Sequence, residues 1–463
     1  NGTTFCLQLS TTKAMIEGSG SKLFFSDEGG EYISGDGTTL TITAGAADVM
    51  KLDANSRISL SNNDGNSYNT VFGYHALTNA GTVLGDVGAD YNVAVGELAM
   101  GTGTTTDATY NTAVGYLSLE DITIGDRNVG LGSKTLKGLT DGDDNIAIGH
   151  SAAAALTTAH KTIFIGTSAG ETVTTTSGSP DGTVGIGASS LAALTTGAGN
   201  VAVGYNSMLT LTTGDNNTAV GYQALYTDDT GNESTAIGRL CMYNQASDAD
   251  EDTGNTGVGS SAGYYNVTGT NNTYVGRLAG YGASGQSNSN NTAVGKSALA
   301  AITTGGDNVV IGSTAGDALT TGGANVLIGM NAGGNFDAED YNVAIGRSAF
   351  SGASSAAYCV AIGGVTMQGN ATQNGTIAVG YNALNALTSG AGNVAIGEQA
   401  ADATTVGGYN TAIGEHALGA NVDGSYNVAI GFKSLEVFEA DTLNHGSNTC
   451  VGTYAGQFVS TGN

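Results

Sequence analysis

The chain has 463 residues, with 75 glycines, one proline, no tryptophan and a formal net charge of −27. That excess of carboxylates repels nucleic acid and anionic lipid, so neither is expected as a partner. The absence of any run of about 18 apolar residues argues against a membrane-spanning helix, and hence against membrane insertion.

Residues 1–60 carry no repeat but alternate apolar and polar positions over 22–25, 31–33, 39–43 and 57–60, with glycine-rich turns between. Period-two patterning of this kind predicts short β-strands. The segment is expected to be a β-rich leader, an attachment module or part of a shaft, and residues 61–463 a separate repeat domain.

From residue 69 onward one pattern returns: Asn, then Thr, Val or Ile, then a small residue, then Val or Ile, then Gly. It occurs as Asn92 to Gly96, Asn111 to Gly115, Asn217 to Gly221 and Asn427 to Gly431. There are 22 copies, with Asn in 17 of them and Ala or Gly at the small position in 16, and 15 of the 21 intervals between their glycines are 17 residues. A period in this range marks a repeat architecture in which each unit packs only on its neighbours. β-Branched residues two apart favour a strand and share one face. The expected fold is therefore an all-β, repetitive parallel β-solenoid or β-roll of about 22 coils of 17 residues. A helix is excluded, since a glycine in every unit and β-branched pairs cannot sustain a helical apolar stripe.

Each residue of the unit then receives an expected task. Asn stacks coil on coil through its amide, Gly makes the turn, and the β-branched pair fills the roll. The third residue after Gly is Ala, Ser, Thr or Cys in every copy and is expected to face inward from a second short strand or a turn. The Ala between the β-branched residues points the opposite way from them. That face would be bare in a single chain, so Ala94, Ala113, Ala202, Ala219 and Ala429 are expected to form the interface of a homotrimer. The six longer intervals exceed 17 by two, four or six residues, which preserves facing. The insertions, including 80–90, 171–182, 246–254 and 438–446, are expected to decorate one edge.

Motifs such as Asn111-Thr-Ala-Val-Gly-Tyr116 and Asn217-Thr-Ala-Val-Gly-Tyr-Gln-Ala-Leu225 resemble the head repeats of trimeric autotransporter adhesins. They resemble still more closely the repeats of bacteriophage tail fibres. The resemblance implies a left-handed trimeric β-roll in a virion tail fibre, with a host-surface glycan or protein and other tail or fibre proteins as partners. A bacterial surface adhesin or extracellular filament is the alternative. A polysaccharide depolymerase would need carboxylates gathered in a groove; no coil carries an inward pair, so neither an enzyme nor catalytic residues are expected.

No cofactor is expected beyond a candidate calcium site. The acidic runs that could supply oxygens to such an ion contain Asp141, Asp143 and Asp144, and Asp248, Asp250 and Asp252. They lack EF-hand spacing, and solvated loop charge is the competing reading. Tyr74, Tyr116, Tyr205, Tyr222 and Tyr381, with Phe432, follow the repeat glycine and are expected to form an exposed ladder. Such a ladder could stack on sugar rings or, as the competing reading, coil on coil. The four cysteines are expected to be free: Cys241 and Cys359 lie seven coils apart, roughly 34 Å at about 4.8 Å per coil.

Overall fold

The structure is a computed structural model that describes residues 68–77, 89–103, 105, 107–174, 179–247, 252–352, 355–439 and 446–459, and the backbone of five earlier strands. It is an all-β parallel β-solenoid of about 20 turns, with roughly 17 residues per turn and no helix among the described residues. The chain falls into two compact units, 1–161 and 162–463.

In the first unit, β1 (Lys22–Phe24), β2 (Tyr32–Gly35), β3 (Leu40–Ala44) and β4 (Ala47–Leu52) form an antiparallel four-stranded sheet. β5 (Ser56–Ser59) pairs antiparallel with β6 (Thr70–Tyr74), the first repeat strand. From there β7 (Val93–Val95), β8 (Thr112–Val114), β9 (Val129–Leu131) and β10 (Ile146–Ile148) pair in parallel, each strand in register with the one before. The second unit continues the pattern from β11 (Ile163–Ile165) to β27 (Thr449–Val451), every strand three residues long.

The strand of each coil is short because the repeat glycine ends it. These glycines have φ between 126° and 143°, a region that side chains strain to enter. A Cβ on Gly204 would sit 2.3 Å from the carbonyl oxygen of Gly221, so adjacent coils also approach too closely there for any other residue. After the glycine, among the described residues, there is no second strand but a run of turns in which the second and fourth residues are left-handed. Leu98 and Met100 in one coil, and Asn206 and Met208 in another, have φ between 47° and 57°. The alternation aims successive N–H groups at opposite neighbours. Asn206 donates back to the Ala188 carbonyl at 3.1 Å, and Met208 donates forward to the Ala224 carbonyl at 3.0 Å.

The interior corrects one assignment. Ala94, Ala113, Ala202, Ala219 and Ala429 are fully buried within a single chain, so they form no interface between chains. The β-branched residues on either side lie on the outer face, half-buried or exposed. Size explains the inversion. The inward Ala meets the fourth residue after the glycine, usually Leu or Met, together with a further Leu or Ile three residues on, as with Leu119 and Ile122 or Met208 and Leu211. These larger side chains already fill the coil. The third residue after the glycine does face inward, as Ala99, Ser118 and Ser207 show.

The volume rule is visible where it is traded. When the strand residue grows to Phe164, Tyr274 or Leu327, the fourth residue after the glycine becomes Gly170, Gly280 or Gly333. A Cβ on Gly170 would stand 2.5 Å from the Phe164 ring, and one on Gly280 would stand 2.3 Å from the Tyr274 ring.

Asn performs the stacking expected of it. The Asn217 backbone N–H donates to Asn200 Oδ1 at 2.9 Å, its Nδ2 donates to the Gly231 carbonyl at 2.7 Å, and its Oδ1 accepts from the Ser234 N–H at 2.9 Å. Asn92, Asn111, Asn128 and Asn410 repeat the arrangement, and Asn427 and Asn448 extend the series of backbone N–H to Oδ1 bonds. Asn92, Asn111, Asn128 and Asn410 are shielded from water, and each of their amides replaces solvent for two backbone groups.

Two substitutions check this account by thermal or denaturant unfolding. Ala202→Leu overfills the coil and is expected to destabilise the protein by about 1–3 kcal/mol; unchanged stability would return Ala202 to the surface. Asn217→Ala leaves the Ser234 N–H and the Gly231 carbonyl unpaired and is expected to cost about 1–3 kcal/mol per stranded group, whereas loss of a merely solvated side chain would be neutral.

Candidate functional site

With the interior assigned, chemistry that reaches other molecules lies on three surface columns, each defined by its offset from the repeat glycine. The first is the strand's outer face. Val201, Thr218 and Thr235 pair in register along one line, and Val203, Val220 and Ile237 along the next. Because the strand faces alternate, each coil turns two strand residues outward, and nearly all of them are Val, Ile or Thr; Phe72 and Leu131 are the exceptions.

The second column is the residue just after the glycine. It places Tyr74, Tyr116, Tyr205, Tyr222 and Tyr381 on the surface, as expected from the sequence. Tyr205 and Tyr222 stack with ring centroids 5.6 Å apart, while Phe432 meets Tyr454 edge-on. Arg239, Arg277, Lys296 and Arg347 occupy the same column and are all exposed.

Two further tyrosine ladders belong to no sequence motif. One uses the residue before the repeat Asn, in left-handed backbone: Tyr68, Tyr91 and Tyr110 stack at 4.8 Å, Tyr341 on Tyr358 at 5.1 Å, and Tyr409 on Tyr426 at 5.4 Å. The other lies five residues after the glycine, where Tyr226, Tyr243, Tyr264 and Tyr281 stack at 4.9–5.3 Å. Their signal was a fixed offset from the glycine rather than a motif. In all of these the ring faces cover one another, so they join coil to coil.

The acidic candidates do not converge. Asp144 takes Arg127 Nε at 2.6 Å, and that hydrogen bond holds its carboxyl below the usual range. Asp143 accepts the Asp126 N–H at 2.8 Å, and Asp141 accepts the Thr123 hydroxyl at 3.0 Å. Asp252 is exposed, and Asp248 and Asp250 lie outside the described residues. Among the described residues no three His, Cys, Asp or Glu side chains gather as a metal would need.

Cys241, Cys359 and Cys450 are free thiols, and burial pushes the Cys241 thiol up to about 12. One buried carboxylate, Asp228, accepts from the Gly231 and Ser247 N–H groups at 3.2 Å and from Gln245 Nε2 at 2.7 Å. Gln245 also donates to Ser234 Oγ at 2.8 Å, a residue that stands at a position of the ladder usually held by Asn.

Comparison of the chain with protein-family models, with curated proteins and with solved structures found no match in any of the three.

Burial raises the carboxyls of Asp317, Glu339 and Asp402 above their ordinary values. A carboxyl raised on folding favours the fold while protonated, and that contribution fades as pH rises through its folded pKa. The lowered Asp144 and Glu436 act oppositely, but they are solvent-screened and count for less. The thermal midpoint is therefore expected to be higher at pH 5 than at pH 7 in calorimetry, and a lower midpoint at pH 5 would contradict this balance.

Proposed function

We propose that the chain is a structural and adhesive fibre protein: the homotrimeric β-solenoid shaft of a phage tail fibre, presenting a surface for host attachment. The observation that carries this reading is the β-branched stripe. Nearly every coil places two Val, Ile or Thr side chains on the outer face of its strand, with Phe72 and Leu131 as the exceptions, and within each compact unit the coils pair in register. A contiguous apolar surface of that kind on a charged molecule marks a protein contact.

The stripe repeats with the coil, so another copy of the chain in the same axial register complements every position with no new sequence. Closed cyclic symmetry covers all the stripes at once, whereas an open arrangement would leave one bare. Three chains about one axis bring the three stripes together as a shared core, consistent with the resemblance of the Asn-Thr-Ala-Val-Gly repeats to trimeric fibres. The net charge of −27 then holds neighbouring fibres apart in solution.

Light scattering tests the assembly. The expected mass is three times the 45.8 kDa of one chain, and Val203→Asp combined with Val220→Asp and Ile237→Asp is expected to reduce it. A single-chain mass for the unaltered protein would refute the trimer and leave the stripe without its proposed role.

A further inference from the structure

Between Thr162 and Phe432 the chain holds four Lys or Arg residues: Arg239, Arg277, Lys296 and Arg347. All four fall at one place in the repeat, directly after the glycine. A chance scatter over a 17-residue unit would not put them on one line. The backbone confirms that the line is physical. Ser261 donates to the Arg239 carbonyl, Ser297 to that of Arg277, Thr314 to that of Lys296 and Val365 to that of Arg347, each at 2.9 Å. The column therefore runs in register from coil to coil.

Three features distinguish these cations from solvated surface charge. They sit in a chain with 40 Asp and Glu against 13 Lys and Arg, yet none has an ion-pair partner among the described residues. The other positions of the column between them are Ser260, Ser313 and Met330, with no carboxylate. Aromatic side chains close both ends, Tyr205 and Tyr222 on one side and Tyr381 on the other, at 51%, 47% and 55% exposure. Tyr381 differs from the stacked tyrosines because its neighbour in the column is Gly364. A Cβ built there would come 3.5 Å from the Tyr381 ring, so that side of the ring has no side chain over it.

We infer that this column binds a linear acidic polysaccharide. The inference deepens the adhesive reading and rests on it for the class of target, but it does not require the trimer. The cations stand two, one and three coils apart, roughly 10, 5 and 14 Å at about 4.8 Å per coil. One hexopyranose residue is about as long as one coil is tall, so carboxylates spaced by whole sugars can meet cations spaced by whole coils. The bare side of Tyr381 can take the apolar face of a sugar ring. A duplex nucleic acid fits poorly, since its one charge per roughly 1.7 Å exceeds what four cations can neutralise against an acidic background.

Binding of the full-length protein to polygalacturonate, dextran and double-stranded DNA, measured by biolayer interferometry at low and physiological salt, tests the inference. Polygalacturonate is expected to bind and to weaken with salt, and the quadruple variant Arg239→Ser, Arg277→Ser, Lys296→Ser, Arg347→Ser to bind at least about tenfold more weakly. Lys134→Ser, off the column, is expected to bind as the parent does. No binding of polygalacturonate, equal binding of dextran or DNA, or an unaffected quadruple variant would each overturn it. Light scattering on the quadruple variant separates the two readings. An altered mass would show the cations to be contacts between chains and overturn the glycan site, whereas loss of binding at unchanged mass supports it.

Discussion

The spacing between hydrogen-bonded strands, about 4.8 Å, governs this molecule. Each coil must lie that close to the next all the way round, so no residue can be chosen for its own coil alone. At the repeat glycine the demand is absolute, because the neighbouring carbonyl occupies the space a Cβ would need. At the repeat Asn it is met by chemistry, the amide of one coil serving the backbone of another. Inside, it limits the cross-section: Ala is most often matched by Leu or Met, and the larger Phe164, Tyr274 and Leu327 are matched by Gly. Left-handed backbone at two residues of every turn run is tolerated because both flanking coils hold it in place.

Much of this was legible in the sequence. The 17-residue period, the strand at Asn-Val-Ala-Val-Gly and the roles of Asn and Gly follow from spacing and residue type. The facing of the strand did not. Alternation separates Val201 and Val203 from Ala202, but it does not say which set looks inward, and size suggested the wrong answer. The deciding information lay elsewhere in the unit, in the pairing of Phe164 with Gly170 and of Tyr274 with Gly280. Those residues are six apart in sequence and are joined only once the turn run is known.

The surface columns were less legible for a related reason. Tyr91, Tyr243 and Arg239 belong to no motif, and each becomes part of a line only when coils are superposed by their glycines. The acidic runs, by contrast, look like a site in sequence because their residues are adjacent. In space, Asp141, Asp143 and Asp144 serve different neighbours. In a solenoid, adjacency along the chain counts for less than equality of offset.

The cluster of Asp228, Gln245 and Ser234 bears on how such a chain avoids mistakes. Near-identical coils can exchange partners with little penalty, so a growing solenoid could skip a repeat and still bury Ala under Leu. Pairing this coil with one that carries an aliphatic residue at the same offset, such as Ile302 or Leu319, would strip the Asp228 carboxylate of the Gln245 amide that now satisfies it. Burying that charge without donors is far more costly than mismatching two methyl groups. One irregular coil thus gives a repetitive sequence an address, a place from which the other coils can be counted.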